Sequence, residues 1–493
     1  MKTLNIKICT SILSVITLCL TSCELANDID DFEPKFRLAA ETAIRDAASA
    51  ELALTGAYSA TQSQGFLSGR VYSPLIPSMM SFTAANNSDA TAPVENLGFS
   101  NNSPLVEGGI LLTLYSSFYQ QINRANWIIE KVSELSDDGF QPGRRLEIVA
   151  EAKALRAMAH FDLLRLWGQF YDINSTYGID VRLSPAKSNE AFPRKSVAQT
   201  YEAIITDLDD VISDAPDLRA KYFVSKTLGK ALKAKVLLYK GDYAEAAALA
   251  NDVITNSGSN FALTSTFNEL FNHSSIATLD NSEAILDIYQ DASESSDLNL
   301  FWGFFFKLNS QYIDMATNGS ISVNGQDIRY DGVRISTVNG FLGKNGKYAN
   351  LFLGQRFDFI YYLRMAEMYL IYAESDARAT NSVSSGALNA LNAIRVRSGA
   401  TTTGGDGFET YPASISLNQF LEAVRIEKAM ELATEYGETW FDLIRYDYAD
   451  GFETGFQVSD VKATATDPNK FILPIPLNSI DLNGDIIDQN PDY

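Results

Sequence analysis

Cysteine is almost absent. The 493 residues contain three, and all lie within the first 23 positions, at Cys9, Cys19 and Cys23. The rest of the chain therefore has no disulfide framework and no thiolate metal site. Histidine is scarcer still, at His160 and His273. With no H-E-x-x-H and no Cys/His cluster, a zinc centre is not expected, and His160, inside a helical stretch, reads as structural or surface. G-x-S-x-G is also missing, which removes the common sign of a serine hydrolase. The glycines of "GFLGKNGKY" (Gly340–Tyr348) lack the G-x-x-x-x-G-K spacing and read as a turn rather than a phosphate cradle. In "DLNGDIID" (Asp481–Asp488) the glycine is misplaced for an EF-hand loop, so no cofactor or metal is expected, although a structural calcium elsewhere is left open. Positive charge is also short. Lys and Arg number 39 against 61 Asp and Glu, a net charge of −22, which repels phosphate backbones and argues against nucleic acid as a partner.

What is present begins with a leader, residues 1–22. Lys2 and Lys7 form a positive start, Ile8 to Leu20 is a short apolar run, and Thr21-Ser22 supply small residues before Cys23. The run is shorter than the ~20 residues a membrane-spanning helix needs. Leu20-Thr21-Ser22-Cys23 resembles a bacterial lipobox, in which the cysteine is acylated after cleavage; the alternative is an ordinary signal peptide cut nearby. The lipobox reading makes Cys23 an anchor. Loss of Lys2 and Lys7 takes the net charge from −22 to −24. Residues 23–37, with Glu24, Asp28, Asp30, Asp31 and Pro34, read as an acidic, extended tether.

Beyond the tether the helical period dominates, and 46% apolar residues suffice for a large core. Ile148, Ala152, Leu155, Ala159, Leu163 and Leu166 share one face of a helix that Gly168 should stop. Two helices are expected between Val224 and Asn256, turning at Gly241-Asp242. Ala231, Ala234, Ala246 and Ala250 would allow close approach, in the tetratricopeptide manner. A second pair is expected at Leu363–Ala379 and Ala387–Arg397, then a helix at Leu417–Tyr436 before "ETWFDLIRY". Between these blocks Gly65–Gly109, Thr264–Gly354 and Ser398–Pro412 read as long irregular stretches, where function tends to reside. The expected class is mainly α, with tetratricopeptide-like pairs and a loop-rich irregular lobe. The globular part divides formally into residues 38–262 and 263–493, expected as one intertwined unit.

Read in order, "INRANWIIEKV" (Ile122–Val132), "EAKALRAMAHFDLLRLWG" (Glu151–Gly168), "VAQTYEAIITDLDDVI", "GKALKAKVLLYKGDYAEAAALANDVI", "RMAEMYLIYAES", "ALNALNAIRVRSG" and the closing "FILPIPLNSIDLNGDIIDQNPDY" resemble the SusD/RagB family of Bacteroidetes outer-membrane lipoproteins. The resemblance spans nearly the whole mature chain. It implies a non-enzymatic glycan binder that caps a SusC-like TonB-dependent transporter as a lid, held to the outer membrane through the lipid on Cys23. The acidic residues after Cys23 resemble a signal that sends such lipoproteins to the outer face. One segment departs from the family's pattern. "EYGETWFDL" has Gly437 displaced by one residue and lacks the arginine common before Trp-Phe-Asp-Leu, and Lys428 stands where an arginine is frequent. A local ion pair is thereby in doubt.

A sugar site stacks aromatics on C–H faces and places amides or carboxylates at the hydroxyl rim. Two stretches fit. "NLFWGFFFKLNSQY" (Asn299–Tyr312) offers Trp302, Phe304 and Tyr312, against the alternative that Trp302, Phe304 and Phe306 form one face of a buried strand. "RVYSPLIPSMMSFTAANNSDA" (Arg70–Ala90) offers Tyr72, Asn86, Asn87 and Asp89, against their alternative as turn residues. The resemblance implies ligand contacts from this N-terminal region. Rival readings are a peptide- or other nutrient-binding lid and, further off, a glycoside hydrolase. Glu427, Glu431 and Glu435 share a helical spacing but read as a solvated or salt-bridged face rather than as catalysts.

Overall fold

The computed structural model describes residues 40–61, 69–188, 192–271, 281–288, 302, 305–318, 334–335, 344–348, 360–402, 408–452, 455–484 and 486–493. The leader, Cys23, the tether, His273 and Phe304 lie outside the described residues.

Helices dominate. Among the described residues those longer than four residues are, in chain order, α1 (Ala47–Thr61), α2 (Gly69–Met80), α3 (Val94–Ser100), α4 (Gly109–Glu134), α5 (Arg144–Trp167), α6 (Val197–Asp214), α7 (Lys226–Lys240), α8 (Tyr243–Asn256), α9 (Ser310–Asn318), α10 (Met365–Thr380), α11 (Ser385–Arg397), α12 (Leu417–Glu431), α13 (Glu438–Ala449) and α14 (Leu477–Leu482). Among the described residues six short strands form three antiparallel ribbons: β1 (Ala84–Asn86) with β3 (Phe306–Leu308), β2 (Ala284–Asp287) with β6 (Tyr361–Arg364), and β4 (Arg334–Ile335) with β5 (Lys344–Asn345).

Successive helices pack as neighbours from α4 through α8, and α8 packs directly on α10, so the two expected pairs stack although more than a hundred residues separate them in sequence. The local causes are legible. Gly241, at φ 92°, closes α7 in the left-handed conformation, its N–H donating to the Leu237 carbonyl. The alanines 231, 234, 246 and 250 are all buried between the helices. Helix α5 is buried on nearly every side from Ile148 to Trp167 and stops at Gly168, as a central helix must. One apolar core runs from Ile44 to Ile487, and a smaller one joins α10, α11 and α12.

Three expectations need correction. Gly65–Gly109 is not irregular throughout, because it carries α2, β1 and α3. Pro74 and Pro77 hide α2 in the sequence by removing N–H donors. The Ser78 hydroxyl donates to the Pro74 carbonyl at 2.7 Å and the Ser81 N–H to that of Pro77 at 2.9 Å. The helix expected at Leu363–Ala379 begins at Met365, since Leu363 belongs to β6. The helix expected at Leu417–Tyr436 ends at Glu431, followed by a turn with Thr434, Tyr436 and Gly437 at φ 64°, 35° and 79°. Gly437 is required there, for a Cβ would lie 2.3 Å from Pro77 Cγ.

That turn is held by buried charge. Arg364 binds Glu283 at 2.8 Å, Glu431 at 2.5 Å and Glu435 at 2.8 Å, Arg397 binds Glu283 and Glu431, and Lys347 binds Glu435 at 2.5 Å. Glu427 pairs with Arg395 at 2.5 Å. All three helix-spaced glutamates are thus buried and salt-bridged rather than solvated. The doubted ion pair is also replaced. Lys428 binds Asp442 at 2.8 Å and Glu374 at 3.4 Å, and Glu438 binds Arg165 at 2.6 Å and Lys235 at 2.5 Å. Each of these buried charges is answered by an opposite one, which such burial demands.

Candidate glycan-binding ribbon

The two stretches singled out in the sequence meet. Ala84 pairs with Leu308, Ala85 with Lys307 and Asn86 with Phe306, and the Asn87 N–H donates to the Phe305 carbonyl at 2.9 Å. A strand sends alternate side chains to opposite faces. Phe306 and Leu308 consequently enter the core with Ala84 and Asn86, while Lys307 and Ala85 stay half-buried on the outer face. Phe305, one residue before the strand, is turned outward and is 45% exposed.

The candidates separate by burial. Trp302 is 2% exposed, stacked on Tyr348 at 6.3 Å between centroids and edge-on to Phe306. Tyr312 is 1% exposed beside Phe82, and Tyr72, 3% exposed within α2, has its hydroxyl pushed up to about 12 by burial and the nearby Glu95 carboxylate. None of these three rings presents a face to solvent in this structure; of the strand alternative, Phe306 lies in a strand facing the core, Trp302 is buried outside it, and Phe304 is outside the described residues. The polar candidates do share the ribbon. Asn86 is buried, donating at 3.3 Å to both Asp89 Oδ1 and Ser100 Oγ, while its buried Oδ1 has no partner among the described residues. Asn87 is half-buried, with its carbonyl 3.4 Å from Lys307 Nζ, and Asp89 is exposed.

Of this surface, Lys307 was not singled out in the sequence, and Phe305, one of the aromatics of its run, was not chosen as a ligand contact. Their signal was parity: if Phe306 faces the core, its neighbours do not. Among the described residues this surface has one outward aromatic, a lysine, an amide and a carboxylate. Chemically that combination can hold a polar, hydroxyl-bearing molecule with an apolar face. Among the described residues no group of three or more His, Cys, Asp or Glu is placed to hold a metal, and no helix is long and apolar enough to cross a membrane.

Residues 354–493 match the model of the SusD family, and residues 41–238 match a second family model described as starch-binding and associating with the outer membrane. SusD-like protein P2 of Formosa agariphila is 23% identical across 97% of this chain and 98% of its own length. SusD-like protein P38 of the same organism is 28% identical over 250 residues, 50% of this chain and 44% of that protein. A solved laminarin-binding SusD-like protein superposes with a TM-score of 0.70 at 20% identity, covering 91% of this chain and all of the other. That likeness is one of fold.

Proposed function

Because the chain belongs to the SusD/RagB family, we propose that it is a glycan-binding lipoprotein of the outer membrane, carrying no catalytic activity of its own. It takes up oligo- or polysaccharide at the cell exterior through the β1–β3 ribbon, tethered by lipid on Cys23, and passes it to a SusC-like TonB-dependent transporter for which it is the lid. The observation that carries the binding role is Phe305, exposed beside Asn87 and Lys307, with Asp89 exposed two residues on. A ring so placed stacks on a sugar face while the polar groups meet its hydroxyls. The name of the laminarin-binding relative supports a saccharide ligand.

Native gel retardation of residues 24–493 through neutral and anionic polysaccharides tests this. At least one polymer should retard the protein and remain unhydrolysed. Phe305→Ala should abolish the shift. Retardation by none would reject a glycan ligand and favour a peptide or other small nutrient, whereas an unchanged shift in Phe305→Ala would keep the glycan and reject the ribbon as its site. Co-purification of a TonB-dependent transporter with the wild type, lost in Cys23→Ala, tests the partner and the anchor.

A further inference from the structure

The segment between α5 and α6 has neither helix nor strand from Asp180 to Lys187, yet α4 and α5 hold it at nearly every residue. The Tyr119 hydroxyl donates to the Asp180 carbonyl at 3.1 Å, and His160 Nε2 accepts the Arg182 N–H at 3.2 Å. Asn126 Nδ2 donates to the carbonyls of Arg182 and Ser184 at 3.1 and 2.9 Å, and Arg156 donates to that of Leu183 at 3.0 Å. The Ala186 N–H donates to Asn123 Oδ1 at 2.8 Å. Asn126, Arg156 and His160 are buried, so the two helices fix an irregular segment with polar groups from their inner faces.

What this clamp displays is apolar and cationic. Leu183 is 53% and Phe192 41% exposed, and the Arg182 guanidinium lies 4.1 Å over the Phe192 ring. On α4, half-buried Trp127 has the Lys187 ammonium 5.8 Å from its ring centroid, and that ammonium meets Glu130 at 2.8 Å. Large apolar side chains left in water on a rigid frame make good interface anchors, because little order is lost when they are covered. Asp180–Lys195 carries four cations, Arg182, Lys187, Arg194 and Lys195, against two carboxylates, Asp180 and Glu190, in a chain of net charge −22.

The other end of the chain supplies the complement. Residues 24–33 hold five acids, Glu24, Asp28, Asp30, Asp31 and Glu33, and no base, with Leu25, Ile29 and Phe32 among them. The described chain also starts close by. The helix Ala40–Ala43 packs on α4, and a Cβ on Gly139, five residues beyond α4, would lie 3.7 Å from that of Ala47. From there α1 runs back along α4, so that Arg124 donates to the Gly56 carbonyl at 2.8 Å. The chain therefore enters at the C-terminal end of α4. Glu130 and Trp127 stand four and seven residues before that end, about 6 and 10 Å along a helix. Residues 34–39 can span up to ~20 Å, enough to cover the distance.

We propose that the acidic segment Glu24–Glu33 docks on the surface formed by Trp127, Leu183, Lys187 and Phe192. Docked, it holds the body against its anchor; released, residues 24–39 reach up to ~55 Å. Only the tether role of residues 23–37 rests on the proposed function.

Acrylamide quenching of tryptophan fluorescence is the test, since Trp127 is half-buried whereas Trp167, Trp302 and Trp440 are at most 2% exposed. The protein is residues 24–493, with Trp127→Phe as the baseline. A short linker gives an effective concentration on the order of 1 mM, so an intrinsic dissociation constant of about 0.1 mM keeps Trp127 covered about nine-tenths of the time. Asp28→Asn, Asp30→Asn and Asp31→Asn together should weaken docking about tenfold, leave the ring half covered and raise its quenching constant about fivefold. In the wild type, 1 M NaCl, where the Debye length is about 3 Å, should produce a similar rise. Phe192→Ala should raise the constant as well. Equal quenching in the wild type and the triple variant would overturn the proposal and leave the surface to another protein. An unchanged value in Phe192→Ala would overturn it by moving the tether elsewhere, and quenching that falls as protein concentration rises would overturn it in favour of a second copy. Polysaccharide retardation does not depend on these variants, so failure here leaves the glycan reading as it stands.

Discussion

Replacing Arg364 by Met tests whether buried charge holds the C-terminal helices to β2 and β6. Arg364 is 1% exposed at the end of β6 and contacts three carboxylates, those of Glu283, Glu431 and Glu435. Met fills similar volume but leaves three anions facing Arg397 and Lys347, two cations. Removing one partner of a buried ion pair costs about 3–5 kcal/mol. Unfolding entropy of about 2.1 cal/mol/K per residue makes 4 kcal/mol, for a chain of 493 residues, a fall in Tm of about 4 °C. The pH dependence supplies a second check. Burial pushes the Glu435 carboxyl up, but Arg364 and Lys347 outweigh it and hold the net pKa below the ordinary value. A depressed carboxyl contributes stability above its unfolded pKa and loses it as pH falls through the folded one. Without Arg364 this carboxyl takes up a proton at higher pH, so the deficit of Arg364→Met should narrow between pH 7 and pH 5. Scanning calorimetry at both values measures it, with Lys230→Met, which breaks the surface pair with Asp252, as a control expected within about 1 °C of wild type. A Tm of Arg364→Met within 1 °C of wild type, or a deficit equal at both pH values, would refute the reasoning.

Other outcomes follow from single observations. Gly437→Ala, with its Cβ 2.3 Å from Pro77 Cγ at φ 79°, should cost roughly 2–5 kcal/mol. Gly241→Ala, at φ 92° with nothing within 4 Å, should cost only about 1–2 kcal/mol in urea titration; equal losses would show that the close approach is unimportant. His160 is held down to about 3 by burial, then by Arg156, and its Nε2 accepts the Arg182 N–H at 3.2 Å. Its pKa being depressed, the unfolded chain binds a proton that the native one does not. Stability should thus fall by about 1.4 kcal/mol per pH unit from its ordinary pKa of 6.5 toward 3; His160→Gln should flatten that slope, and an unchanged slope would assign it elsewhere. Trp302→Ala should lower Tm by several degrees with glycan affinity kept in the surviving fold, and Phe305→Ala the reverse, because the first ring is 2% and the second 45% exposed. Loss of affinity without loss of stability in Trp302→Ala would return it to the site.

Much of the fold was legible because its causes are local. The helical period of Ile148–Leu166, the stop at Gly168, the left-handed Gly241 and the alanines between α7 and α8 each act within a few residues, so spacing alone located them. Helix α2 escaped because two prolines mimic a loop signal, and their missing N–H donors cost nothing visible in a one-dimensional reading. The break after Glu431 escaped because Gly437 answers Pro77, 360 residues upstream, a contact without a local trace.

The candidate site divides along the same line. Composition and order determined that aromatics and amides gather in Arg70–Ala90 and Asn299–Tyr312, that cysteine is confined to the first 23 positions and that histidine occurs only at His160 and His273. Which ring meets solvent was decided by the pairing of β1 with β3, since a shift of one residue exchanges the two faces and would bury Phe305 in place of Phe306. Register is a property of two segments two hundred residues apart. The charges of Lys428 and Glu438 were likewise plain in the sequence, but their partners, Glu374, Asp442, Arg165 and Lys235, come from four separate helices that only the packed structure brings within reach.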